Sequence, residues 1–292
     1  MNAKLPSILL FVLLLMMLPS IHVPAMEQDW SQQFQQQVQH WISDLAAKDK
    51  QFKTWQDAKP TVQALGPGSH QWLITLSAKG KNVGYLVVAE APESKGNLAK
   101  FVLLEYGLGE FILFDDAFAP QNIAAEPVYD GFSSYWRVAQ HGGDLYVNAK
   151  TGERYPAALT PDPSVVNTLS LQEVINPGQQ LTASTTLEEN ETDPFDDISW
   201  IGAGPLRTEG EGDKPWMKLM QAGDAPSHPV VVSASLFHDE VMAPYSVGTI
   251  HVWSDRLAYI GVWDEGLRFL PYSYVNRVGK IIIPPEQQKG VS

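Results

Sequence analysis

Apolar residues recur along the first part of the chain at the spacing of a helix face. Trp30, Phe34, Val38, Trp41 and Leu45 follow one another at intervals of four, four, three and four, while Gln fills most of the opposite face. Phe52 and Trp55 extend the stripe after a break and Pro60 closes it, so 27–59 is expected to be helical. Such a face could dock on a partner, but it is expected to pack on the protein's own sheet, which the next segment offers.

The pattern then changes from a period of 3.6 to alternation. Segments 71–77 (QWLITLS), 83–90 (VGYLVVAE) and 98–106 (LAKFVLLEY) read as strands, joined by turns at 79–82 and 92–97. Segments 110–114, 134–140 and 144–149 continue the run. One helix on five or six antiparallel strands predicts an α+β domain over 27–158.

Composition shifts over 159–215. Pro161, Pro163, Pro177, Pro194 and Pro205 accompany Glu188, Glu189, Glu191, Asp193, Asp196, Asp197, Glu209, Glu211 and Asp213. This reads as an acidic linker with at most a short helix at 170–175. Alternation returns at 230–236, 247–253, 257–263, 268–270 and 280–283, with turns at Ser254-Asp255 and Asp264-Glu265-Gly266. A small β-barrel or half-barrel over 216–286 is expected.

The first 25 residues differ from everything after them. Lys4 is their only charge, 8–18 is an unbroken apolar run, and Val23-Pro24-Ala25 places small residues where a signal peptidase cuts. The run is too short to span a bilayer before Pro19 and His22 interrupt it. A cleaved signal peptide and a secreted or wall-associated protein of a Gram-positive-type bacterium are expected, with no stable membrane span after cleavage.

A net charge of −13 argues against nucleic acid as a partner, because like charge repels phosphate. With no cysteine there is no disulfide, thiolate zinc site or thiol nucleophile. The histidines fall at no zinc-protease spacing, and no Gly-x-Ser-x-Gly elbow occurs. Glu105 and Glu110 flank a Gly-containing turn and could approach as a carboxylate pair. Asp193, Asp196 and Asp197 lack the alternation of a calcium loop. No catalytic residue, metal site or cofactor is expected. The candidate site is instead aromatic: His251, Trp253, Tyr259, Trp263, Arg268 and Tyr272, on neighbouring strands where alternation puts His251 beside Trp253 and Tyr259 beside Trp263. Rings with an arginine suit a peptide or glycan, and the same rings would fill a small barrel.

Segment 135–156 (YWRVAQHGGDLYVNAKTGERYP) resembles the closing hairpin of PepSY-type domains, helix-plus-sheet modules of protease propeptides and bacterial envelope proteins. That resemblance implies a binding or inhibitory module. Segment 229–283 resembles the barrel half of papain-like peptidases, with His251 and Asp264 in the places of the family's histidine and its following acid or amide, and with no cysteine to act as nucleophile. The stretch holding Gly84-Tyr85 and 104–107 (LEYG) is similar to exported proteins of spore-forming Gram-positive bacteria that have no assigned activity. The expectation is a non-enzymatic binding protein whose partner is an extracellular peptide, protein or wall polymer. The alternative is an extracellular hydrolase or a degenerate papain-like relative.

Overall fold

The computed structural model describes residues 25–91, 100–121, 124–206, 214–221 and 228–284. Residues 1–24 of the expected signal peptide, the turn at 92–97 and the acids Glu209, Glu211 and Asp213 lie outside them.

The amphipathic stripe forms helix α1 (Ala25–Lys48), which buries Phe34, Val38, Trp41, Ile42 and Leu45. Asp49 ends it by adopting an extended backbone, and its carboxylate accepts the Gln51 N–H, starting a 3-10 turn at Lys50–Asp57 that buries Phe52 and Trp55. Four strands follow: β1 (Lys59–Ala64), β2 (Gln71–Ala78), β3 (Lys81–Glu90) and β4 (Phe101–Leu108). β5 (Glu126–Val128), β6 (Tyr135–Val138) and β7 (Leu145–Asn148) make a separate three-stranded sheet. Then come β8 (Leu181–Thr186), a short helix α2 (Trp216–Gln221), β9 (Val231–Leu236), β10 (Val241–Trp253), β11 (Leu257–Trp263), β12 (Leu267–Pro271), α3 (Tyr272–Val278) and β13 (Gly279–Ile282).

The fold is α+β, and its main sheet is antiparallel and open. Strand order is β1-β2-β3-β4-β12-β11-β10-β9-β13, with β8 paired to β10 beside this path. The barrel expected over 216–286 does not close. Its strands join the N-terminal meander through β4 and β12, where Phe269 faces Tyr106 and Leu267 faces Leu108. One sheet therefore crosses the boundary expected between two domains.

The segment read as a linker is built into the same core. Val166, Val174 and Leu187 are buried on one face of the sheet, and Ile175 exchanges backbone contact with Leu103. β8 completes the flank of β10 there. The helix expected at 170–175 is a turn, because the Glu173 carboxylate takes both the N–H and the hydroxyl of Ser170 at 2.8 Å and holds the chain closed. The strand expected at 110–114 is also absent. Ile112, Leu113 and Phe114 are buried in succession, and Phe114 adopts a left-handed φ of 56° that ends extended structure.

The sheet separates two apolar layers. On one face α1 and the 3-10 turn pack on residues that include Leu86, Leu103, Tyr106, Trp253, Tyr259 and Phe269. On the other, the small sheet, α2, α3 and the intervening loops cover Tyr85, Val87, Val232, Ile260 and Leu270. A β-bulge decides which residue of β4 meets which layer. Val87 pairs with Glu105 and Val88 with Leu103, so Leu104 is the extra residue. Glu105 is thereby turned to the loop face and Tyr106 to the helix face.

Candidate functional site

Of the six aromatic and cationic residues expected to line a groove, four are buried and two, Trp263 and Tyr272, are half-buried. His251, Trp253 and Tyr259 are fully buried under α1 and the 3-10 turn, and Trp263 packs at the margin of that layer with its Nε1 3.4 Å from the Glu188 carbonyl. Arg268 is buried on the opposite face, and Tyr272 packs against the core of that same face. The sheet divides the set, so no open aromatic groove forms among these residues.

What surrounds His251 is a polar chain running in one direction. Trp253 Nε1 donates to the Tyr106 hydroxyl at 3.0 Å, and Tyr106 donates to His251 Nδ1 at 2.9 Å. His251 Nε2 then donates to Asp49 at 2.8 Å. Asp49 also accepts from Ser184 at 2.7 Å and from the Gln51 amide. Every donor has an acceptor when His251 is neutral with its proton on Nε2. Burial pushes His251 down toward that neutral form against the pull of Asp49. Burial alone would raise Asp49, but hydrogen bonds from His251, Ser184 and Gln51 outweigh it and hold the carboxyl at about 2. The order acid–histidine–hydroxyl could move a proton in a hydrolase. Here Tyr106 and His251 are fully buried, with Phe269 stacked on His251 at 4.2 Å and Phe52 tilted against it, and no substrate can reach the imidazole.

The loop face holds the counterpart. Arg268 Nε lies 2.9 Å from Glu105 Oε1, and its Nη2 bonds Glu105 Oε2 and the Gly131 carbonyl. Its Nη1 reaches Asp264 at 2.6 Å. The hydroxyls of Tyr85 and Tyr129 also donate to Glu105. Gly131 has φ 59°, and a Cβ there would stand 2.4 Å from the Tyr274 ring, so glycine is required to bring its carbonyl to Arg268. Glu105 does not pair with Glu110, which sits outside on Lys81. Asp264 belongs to Arg268, while the carboxylate on His251 is Asp49. Glu105 and Arg268 are buried with their partners made, and Asp264 is half-buried at the edge of this cluster.

The accessible chemistry lies at one edge of the sheet. β1 is an end strand, and all six of its residues are exposed. The Leu65 N–H bonds the Gln71 carbonyl at 2.9 Å, which fixes the parity of the ladder. Lys59, Thr61 and Gln63 face β2 with their backbone groups, whereas Pro60, Val62 and Ala64 turn theirs outward. Pro60 has no N–H to leave unpaired, so the free row consists of the N–H groups of Val62 and Ala64 and the carbonyls of all three. Beside this row runs a groove of about 660 Å³ lined by Phe34, Val38, Pro60 and Val62, with Gln35, Gln36, Gln39, His40 and Ser43 at its rim. No carboxylate or ammonium lines it, in a chain of net charge −13.

The opposite end of the sheet is closed. Leu206 donates its N–H to the Ile281 carbonyl at 2.7 Å, Pro205 bridges to Ile282, and Trp200 covers Ile282 and Val231. The sequence reading ends the helix at Lys59 and assigns no element to 60–64, so it misses β1 (KPTVQA). The outward exposure of Val62 next to a proline was the available signal of an edge strand.

Fold and site together define a class: an α+β protein with an open-edged antiparallel sheet and a helix-flanked apolar groove along the free strand. No protein-family model matches the chain, and no curated protein matches it.

Proposed function

We propose that this chain is an exported, non-enzymatic binding protein that receives an extended peptide segment as an added strand on β1. The observation that carries this reading is the free backbone row of β1 lying directly against the Phe34–Val38 groove. Main-chain hydrogen bonds would supply affinity, and alternate side chains entering the groove would supply selectivity. The uncharged lining favours a segment without charge and with small apolar residues at every second position. The sealed His251 network speaks against hydrolysis, and the likeness of 135–156 to PepSY-type hairpins agrees with a binding role. The signal-like first residues favour a role outside the cytoplasm.

The test uses a short peptide of alternating valine and threonine. Amide hydrogen exchange is expected to slow at Val62 and Ala64 when this peptide is added. Val62→Pro removes one outward N–H without touching the ladder to β2. It is expected to weaken binding by about threefold to tenfold, the worth of one hydrogen bond, at unchanged thermal stability. Binding without protection at β1, or equal affinity for Val62→Pro, would overturn the reading.

A further inference from the structure

β1 does not stop at its first groove. Its last residue, Ala64, lines a second cavity of about 740 Å³ together with Gly66, Pro67, Ala124, Ala125, Pro127 and the charged trio Glu126, Arg137 and Asp144. Val62 lines the first groove and Ala64 the second, and two residues of strand advance only about 7 Å. A strand laid along β1 from Pro60 to Ala64 would therefore run out of the helix-side groove and into this cavity. The turn after β1 is kept low to allow it. Gly66 has φ 68°, and a Cβ there would meet the Pro127 carbonyl at 3.1 Å, so the turn lies against β5 with no side chain in the way.

The charges of the second cavity are not equivalent. Arg137 gives both Nε and Nη2 to Glu126, and that pair answers itself. Asp144 is exposed, forms no hydrogen bond or ion pair among the described residues, and stands among small apolar walls. Asp144 feels Arg137 through space, but Arg137 is already bonded to Glu126, so the cavity's three charges leave it one net negative, in a protein whose net charge of −13 draws cations from a distance.

We infer that the second cavity reads a basic side chain: the bound segment carries a lysine or arginine just beyond the residue that faces Ala64, and Asp144 receives it. This inference rests on strand addition at β1 and names the peptide class, an uncharged alternating strand followed by a cation.

Three peptides test it, each with the same valine–threonine strand flanked at both ends by Gly and then Lys, Gln or Glu, so that either strand direction carries the test residue past Ala64. Affinity is measured by titration calorimetry, with hydrogen exchange at Val62 and Ala64 recorded for each complex. The lysine peptide is expected to bind about threefold to fivefold tighter than the glutamine peptide, the worth of an exposed ion pair. The advantage is expected to disappear in Asp144→Asn, an exposed loop position, and at high salt. Equal affinities for all three, with β1 still protected, would overturn the basic-residue inference and leave strand addition standing. A tightest glutamate peptide whose preference is lost in Arg137→Gln would overturn it in favour of an anion. If no peptide protects β1, strand addition falls and this inference falls with it.

Discussion

The two faces of the main sheet solve the same problem with different chemistry. Each buries a carboxylate: Asp49 on the helix face and Glu105 on the loop face. Glu105 is matched by a full positive charge, Arg268, whose guanidinium is shared with Asp264 and the Gly131 carbonyl. Asp49 is matched by neutral donors, His251, Ser184 and a backbone amide. The difference follows from depth. Glu105 has no exposure at all, and only a cation with further partners holds a charge there. Asp49 lies at the end of α1, where Ser184 connects it to the surface, and dipoles suffice. One face is held by a buried charge pair. The other depends on a group that titrates.

Removing the cation tests that contrast most severely. Arg268→Met leaves Glu105 buried with only two tyrosine hydroxyls, and is expected to cost about 3–5 kcal/mol in denaturant unfolding. Adding Glu105→Leu removes the orphaned charge and is expected to recover most of the loss. A single-variant loss below about 1 kcal/mol would mean that water reaches Glu105, and the two faces would then not differ in the way described.

Much of the fold was legible in the residues because it is local. The α1 stripe and the alternation of β2, β3, β10 and β11 follow from periodicity alone, and the α+β class follows from those elements. What was hidden depends on distant partners. β4 and β12 are separated by more than half the chain, and nothing in either strand announces that they pair. β8 is spelled LTASTT within an acidic, proline-rich stretch, and only the free flank of β10 makes it a strand. The bulge at Leu104 reverses the parity of β4: counting alternately from Phe101 places Glu105 under the helix, whereas it lies on the other face. Of the aromatic cluster, His251, Trp253, Tyr259, Trp263 and Arg268 lie on the strands that alternation gives, Tyr272 opens α3, and the burial of His251, Trp253, Tyr259 and Arg268 was not legible. Burial is a property of what covers a strand, and the cover, α1 and the 3-10 turn, is some two hundred residues away in sequence.

Acid is expected to act on the helix face first. His251 titrates lower in the folded protein than its ordinary value near 6.5. Its contribution is therefore complete above that value and declines as pH falls below it, when the unfolded chain takes up a proton that the fold refuses. Asp49, held at about 2, contributes about 2 kcal/mol above its unfolded value of 3.8, and that is lost as pH falls through 2. On the loop face Asp130 has the opposite sign. Burial raises its carboxyl, so protonation at low pH relieves rather than loosens its surroundings. Unfolding free energy measured between pH 7 and 5 should fall with pH, and His251→Gln, which keeps a donor for Asp49 without titrating, should flatten that slope. An unchanged slope would show that His251 is not the group responsible.

The mildest test concerns the exposed serine of the helix-face network. Ser184 donates to Asp49 at 2.7 Å from an exposed position on β8. In Ser184→Ala the lost hydroxyl leaves a carboxylate oxygen that still accepts from His251 and is open to water on the side the serine occupied. Replacement by water makes the net cost small, within about 0.5 kcal/mol, where an enclosed donor to a carboxylate would be worth about 1.5–3 kcal/mol. The measurement that matters is the pair of results: small for Ser184→Ala, large for Arg268→Met. If Ser184→Ala instead cost as much as an enclosed donor, Asp49 would be as isolated from water as Glu105. Its lack of a cationic partner would then need an explanation other than depth.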